Sequence, residues 1–213
     1  MTREEIEILT EYFPKEAVKP VSNIIVRYGI HFRISRSRRT KLGDYRPPIN
    51  QPHHKISVNH DLNQYAFLIT FIHEVAHLLV YKKYKNRISA PHGFEWKNEY
   101  RELMQQFINL DIFPEDIKTE IVKSLVNSKA TSSSELELIR VLRKYDKQKT
   151  AGVVHLEDLP EGSFFIIQTG RRFEKGAKRR VRYLCRNIDN QQWYLFHPLT
   201  EVKPFKPSET TIK

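Results

Sequence analysis

Residues 65–81 are an apolar run interrupted in its middle by two histidines and a glutamate. The run reads Tyr65-Ala66-Phe67-Leu68-Ile69-Thr70-Phe71-Ile72, then His73-Glu74-Val75-Ala76-His77, then Leu78-Leu79-Val80-Tyr81. Apolar residues around most of a helix mark it as buried in a domain core rather than laid on a surface. Polar groups in that setting are costly unless something satisfies them. Residues four apart share a helix face, so His73 and His77 can turn their imidazoles to one point, with Glu74 offset around the axis. A metal ion suits that spacing, and an aqueous cleft is the other way to satisfy it. The plain alternative is a chance match in a polar stretch of helix, and the apolar flanks count against it. With Glu74 beside a metal-activated water, the pattern is the H-E-x-x-H of zinc hydrolases.

A catalytic zinc takes three protein ligands and keeps one position open. Downstream candidates for the third are His92, Glu95, Glu99 and Glu102. Residues 86–93 read as a loop closed by Pro91 and Gly93. Phe94, Trp96, Tyr100, Leu103, Met104, Phe107 and Ile108 then recur at helical spacing. His92 stands just ahead of that second helix, where its side chain can turn back toward the first. Glu95 or Glu99 would instead carry the ligand on the helix itself. Spacing and flanks favour His92, whose ordinary alternative is a hydrogen-bonded loop histidine. Lys83 occupies the place of the third histidine in the metzincin pattern, which excludes that class.

The block His73-Glu74-Val75-Ala76-His77, followed by Pro91-His92-Gly93-Phe94-Glu95-Trp96, resembles the SprT-like (Spartan-related) zinc metalloproteases. Arg39-Thr40-Lys41-Leu42-Gly43-Asp44-Tyr45-Arg46 looks like the strand segment of that family, and Ile56-Ser57-Val58-Asn59 like the strand before its active-site helix. The likeness spans about residues 15–110. It implies one Zn²⁺ per chain on His73, His77 and His92, with Glu74 as general base. It further implies peptide-bond hydrolysis in protein associated with DNA, including protein crosslinked to it. The expected fold class is α+β: a zincin-like domain with a small antiparallel sheet packed on the HExxH helix, plus a small C-terminal β module. Tyr45 joins the site only if its strand borders the cleft.

Charge points to an anionic partner. The chain carries 36 Lys and Arg against 25 Asp and Glu, a net +11, and nucleic acid is the leading partner for such a balance. A merely soluble basic surface is the alternative, so clustering matters more than the total. Arg27, Arg33, Arg36, Arg38, Arg39, Lys41 and Arg46 crowd the region before the metal helix. A second group lies near the C-terminus, where Arg171, Arg172, Lys178, Arg179, Arg180 and Arg182 are the candidate nucleic-acid contacts. Nearby Tyr183, Trp193, Tyr194 and Phe196 read first as the core of a small sheet and second as a platform for stacked bases. Many SprT-like proteins carry a four-cysteine zinc ribbon here, but Cys185 is the chain's one cysteine and cannot make such a site. A lone cysteine fits a reducing compartment. No run approaches the ~18 apolar residues of a membrane span, and Met1-Thr2-Arg3-Glu4-Glu5 lacks the apolar segment of a secretory signal. The expected location is cytoplasmic, with no membrane partner; the sequence does not set the oligomeric state.

Periodicity predicts helices over 2–13, 15–28 and 115–126, and strands over 30–35 and 55–59, the first running toward a hairpin near 38–46. The metal helix starts near Leu62, capped by Asn59 or Asp61, and Pro114 ends the second active-site helix. The expected domains are 1–126 for the metalloprotease domain, 127–150 for a linker and connector helix, and 151–213 for a basic β-hairpin module with a loose tail. Strands in that module are expected over 163–169, 179–185 and 192–196. Gly162, Gly170, Gly176 and Asp189-Asn190 supply its turns, and Pro204 and Pro207 its tail. A second functional reading is a nucleic-acid-binding module whose metal site is structural or vestigial. Glu74 argues against it, since a structural site needs no base there.

Overall fold

Capping and stop signals set the first elements. Thr2 and Glu5 close a capping box on α1 (Arg3–Tyr12). Gly29, left-handed at φ 57°, ends α2 (Lys15–Tyr28) and turns the chain into β1 (Ile30–Ser35). Then come β2 (Gly43–Arg46), β3 (His54–Asn59), α3 (Gln64–Tyr84), α4 (Phe94–Ile108), α5 (Glu115–Val126) and α6 (Ser132–Arg143). This computed structural model describes residues 1–38, 40–49, 52–85, 90–126, 132–146 and 151–206, without the side chains of 132–135. Arg39, loop residues 86–89, the polar stretch 127–131 and Pro207 lie outside the described residues. The chain divides into two units, Met1–Lys147 and Gln148–Lys213.

The first unit is built around α3. Phe67, Leu68, Phe71, Ile72, Val75, Ala76 and Leu78 have no exposed surface, so the helix is enclosed around most of its circumference. Phe13 meets Phe67 edge-on at 4.9 Å, and Phe32 meets Phe71 in the same way at 5.3 Å. Val21 and Ile25 of α2 and Ile56 and Val58 of β3 belong to the same core. Each large apolar side chain so buried contributes about 1.5–3 kcal/mol.

The sheet has the order β1-β3-β2, and it is mixed rather than antiparallel. β1 runs parallel to β3, pairing Phe32 with Ile56, while β2 is antiparallel to it, pairing Tyr45 with Ile56. The expected β1–β2 hairpin is therefore not formed. The reason lies in burial: Ile56 and Val58 are wholly enclosed, which places β3 in the centre, whereas no residue of β2 is buried. A more apolar strand displaced the hairpin partner.

Asn63, not Asn59 or Asp61, caps α3. Its Oδ1 accepts from the backbone N–H groups of Tyr65 and Ala66 at 3.1 and 3.0 Å. Its amide donates to the Leu142 carbonyl at 2.8 Å and to Asp146 at 2.7 Å. Residues 132–143, expected as a connector, thus form a helix docked on the first unit. Leu138 and Leu142 enter its core, and the Tyr145 hydroxyl donates to Asp116 at 2.8 Å. Asn59 serves a different purpose: its Oδ1 accepts from Arg38 Nε at 2.8 Å and its amide donates to the Lys41 carbonyl at 3.0 Å. α4 stops at Ile108, short of Pro114, and Asp111 turns the chain at φ 54°.

The second unit is an antiparallel sheet of order β4-β9-β5-β6-β7-β8. Its strands are β4 (Val154–His155), β5 (Phe164–Ile166), β6 (Arg172–Arg179), β7 (Arg182–Asn187), β8 (Trp193–Phe196) and β9 (Glu201–Pro204). Leu156, Phe165, Phe173, Cys185 and Val202 form the core, with Tyr183, Tyr194 and Phe196 against it. Gly176 is not a turn residue. It lies in β6 at a register shift, where a Cβ would stand 2.5 Å from the Leu184 carbonyl oxygen. Pro204 closes β9 rather than opening a tail. Among the described residues no helix is long and apolar enough to cross a membrane.

Asn63→Ala removes a helix cap and two further hydrogen bonds that tie α6 to α3. The expected loss is about 2 kcal/mol of stability, read as a lower midpoint in urea unfolding of the full chain.

Candidate metal centre

One face of α3 carries Ala66, Ile69, Thr70, His73 and His77 along a cleft of about 990 Å³. β2 forms one wall, α4 another, and the end of α5 with α6 a third. His92, in the turn before α4, reaches back to the helix. Its Nε2 lies 3.0 Å from His77 Nε2 and 3.1 Å from His73 Nε2. Nitrogens of a tetrahedral zinc site, each ~2.0–2.1 Å from the ion, stand roughly 3.3 Å apart. The three rings therefore fit one ion after small adjustments. Among the described residues, His73, His77 and His92 form the metal-competent group, with all three ligand atoms within 4.8 Å of one another.

Their protonation suits that role. Burial, with the neighbouring imidazoles, pushes His73 down to about 3 and His77 down to about 4. Both are neutral at neutral pH, the form that ligates metal. Three imidazoles converging through Nε2 on one point cannot all donate there, so a shared cation suits this donor set.

The carboxylate alternatives are placed elsewhere. Glu99 pairs with Lys83 at 2.8 Å, the residue that stands in the metzincin histidine position. Glu102 is exposed and Glu95 is not part of the metal-competent group. Instead of a ligand, α4 supplies a ring floor. Trp96 packs on His73, His92 and His77 with centroids at 4.6, 4.7 and 5.5 Å, and stacks on Tyr100 at 4.8 Å. Helical spacing marked Trp96 as a core residue; only the fold shows it bracing the histidines.

Glu74 is buried beside β2. Burial pushes its carboxyl up to about 7, and Asp44 adds to the rise; Arg38, Lys41 and the backbone N–H of Tyr45 pull it back. Such a group exchanges protons near neutral pH, the range in which a general base works best. Gly43 allows the strand this close. A Cβ there would stand 2.8 Å from both Glu74 Cγ and Thr70 Cγ2, and nearer still to Glu74 Oε1. No positive φ marks Gly43, so the signal visible in sequence was only its place in the strand segment before Asp44-Tyr45. β2 does border the cleft, and Tyr45 lines it. The Tyr45 hydroxyl is 3.0 Å from His54 Nδ1, and burial raises its pKa well above the usual phenol value.

The basic residues near the C-terminus do not form one patch. Arg172 pairs with Asp189, and Arg171 lies over the Tyr194 ring at 4.6 Å. Lys178, Arg179, Arg180 and Arg182 sit at the other end of β6, exposed around its hairpin with β7. The two groups are separated by about 20 Å of strand. Lys175 is buried and donates to the Glu157 carbonyl at 3.3 Å and to that of Leu159, so it is a structural lysine. Of the aromatics, Trp193 is 58% exposed while Tyr183, Tyr194 and Phe196 face the core.

A family model described as the SprT-like family matches residues 10–121, a little over half of the chain. No curated protein and no solved structure matched the chain.

Gly43→Ala is expected to drive β2 away from α3 at Glu74. Overpacking of this kind costs about 1–3 kcal/mol, measurable by denaturant unfolding, whereas Gly43→Ser should be worse and not better.

Proposed function

The chain belongs to the SprT-like family, and from that premise we propose that it is a zinc-dependent endopeptidase. The carrying observation is the convergence of His73, His77 and His92 on one point in an open cleft, with Glu74 adjacent. The three imidazoles would hold one Zn²⁺. That ion, when bound, supplies a Lewis acid that polarises a peptide carbonyl and acidifies a water. Glu74 takes a proton from the attacking water and returns it to the leaving amine. Its burial against β2 keeps the carboxylate in one orientation, and its raised pKa makes it a better proton acceptor. The Trp96–Tyr100 stack holds the rings in place from below.

Substrate protein held near DNA, including crosslinked protein, is the class that suits this chemistry joined to a basic second unit. Lys178, Arg179, Arg180 and Arg182 at the β6–β7 hairpin are the residues proposed to meet phosphate. The buried lone Cys185 fits a reducing, cytoplasmic setting. A binding module with a vestigial metal site is the competing reading. A buried carboxyl beside the histidines and an open cleft count against it.

Elemental mass spectrometry on the full chain, freed of loose ions, should find about one zinc per chain. His92→Ala should lose most of that metal, and Glu99→Ala should keep it. Glu74→Gln should retain zinc while cleavage of an unfolded protein substrate falls ~10²–10⁴-fold; undiminished cleavage would remove Glu74 from its role. For the second unit, reversing Arg179 and Arg180 to glutamate should weaken binding of a fluorescent DNA oligonucleotide. The fall of affinity with salt should become shallower. Unchanged binding and slope would place the DNA contact elsewhere.

A further inference from the structure

The cleft continues past the histidines into an end that the proposed chemistry does not use. Along α3, Ile69 comes one turn before His73 and Ala66 nearly two turns before it, about 6 and 10 Å along the axis. Both face the cleft. Opposite them stand Leu125 of α5 and Leu138, Ile139 and Leu142 of α6. The charged neighbour Arg101 is turned to the Leu125 carbonyl, which accepts from its Nη2 at 3.0 Å and its Nε at 3.3 Å. Six aliphatic side chains line this end, together with Ser124 and Arg101. Leu138 and Leu142 are mostly enclosed, while Ile139, Ile69 and Ala66 are half-buried and present surface to a ligand.

Extended peptide advances ~3.3 Å per residue. A chain whose scissile carbonyl lies at the histidines therefore brings a residue flanking that bond to Ile69 and Ile139. The α6 wall is held there by the Asn63 bonds to Leu142 and Asp146 and by Tyr145 on Asp116. It lies beyond residues 10–121, which the family model matches.

We infer that this end of the cleft is a specificity subsite for a large aliphatic or aromatic side chain next to the scissile bond, with Ile139 and Ile69 as its determinants. This rests on the endopeptidase reading for the identity of the ligand as a peptide. Burial of one such side chain changes affinity by about ten-fold or more relative to a charged one.

The test uses the 213-residue chain carrying Glu74→Gln, loaded with zinc, and fluorescein-labelled octapeptides. These carry Leu, Phe, Gly, Asp or Lys at each of the two central positions in turn. At one of those positions Leu and Phe should bind at least ten-fold tighter than Asp, by fluorescence anisotropy. Ile139→Asp should abolish that preference, and the milder Ile139→Ser should reduce it; circular dichroism checks that both fold. Equal affinity across the series, or full preference retained in folded Ile139→Asp and Ile69→Asp, overturns the subsite. Turnover of the same peptides by the unsubstituted chain separates the two ideas. Cleavage of all peptides at equal rates defeats the subsite and leaves the endopeptidase standing. Selective binding with no turnover defeats the endopeptidase and leaves the subsite standing.

Discussion

A helix enclosed in apolar side chains must nevertheless keep two imidazoles and a carboxyl in contact with water. That constraint organises the first unit. α3 is packed by α2, β3 and the aromatic cluster of Phe13, Phe32, Phe67 and Phe71, and opens to solvent along one strip. His73 and His77 lie on that strip, and His92 comes to meet them. Desolvation is what gives the groups their character. The surroundings that hold His73 and His77 neutral also lift Glu74 to about 7.

Keeping β2 at the strip takes a second set of interactions. As an edge strand with no buried residue, β2 has little apolar surface to anchor it. Polar bonds make up for this. Arg38 donates to Asn59 Oδ1 and to Ser57 Oγ at 2.8 and 3.0 Å, and Asn59 donates back to the Lys41 carbonyl. The segment leading into β2 is thereby bound to the central strand, and Gly43 is delivered against Glu74. Asp44 is meanwhile neutralised by Lys41 and Arg46 at 2.7 and 2.9 Å. With those two cations in place, the acid beside Glu74 raises its pKa without making the site strongly anionic.

Local signals carried what was local. The HExxH spacing, the helix stop at Gly29 and the loop position of His92 are readable because each depends on a few neighbouring residues. Pairing partners are not of that kind. The alternation in 30–35 shows a strand, but the choice of β3 over β2 as its neighbour depends on how Ile56 and Val58 meet α3. Asn63 caps α3 through local bonds to Tyr65 and Ala66, but its bonds to Leu142 and Asp146 come from far along the chain and leave no local signal. β6 is hidden for another reason: Gly176 reads as a turn, yet the fold holds it in the strand at a register shift. The basic residues show the converse, since closeness in sequence along the extended β6 is distance in space.

The place of the third ligand follows from what α4 is already doing. A helix can offer a ligand or a floor on one face, and here the face toward the histidines is filled by Trp96 and Tyr100, stacked 11° from parallel. A carboxylate at Glu99 would have to share that space, and it is instead drawn off by Lys83 at 2.8 Å. Lys83 thus stands where a metzincin would carry its third histidine, and it pairs with Glu99, one of the two glutamates that could have carried the ligand on the helix. The third histidine of the metal-competent group stands instead in the turn ahead of α4. A side chain on a turn can approach the ion position from outside the two helices, where His92 Nε2 stands within about 0.1 Å of equidistant from its two partners. The aromatic floor and the lysine–glutamate pair leave His92 as the residue that the fold brings to His73 and His77.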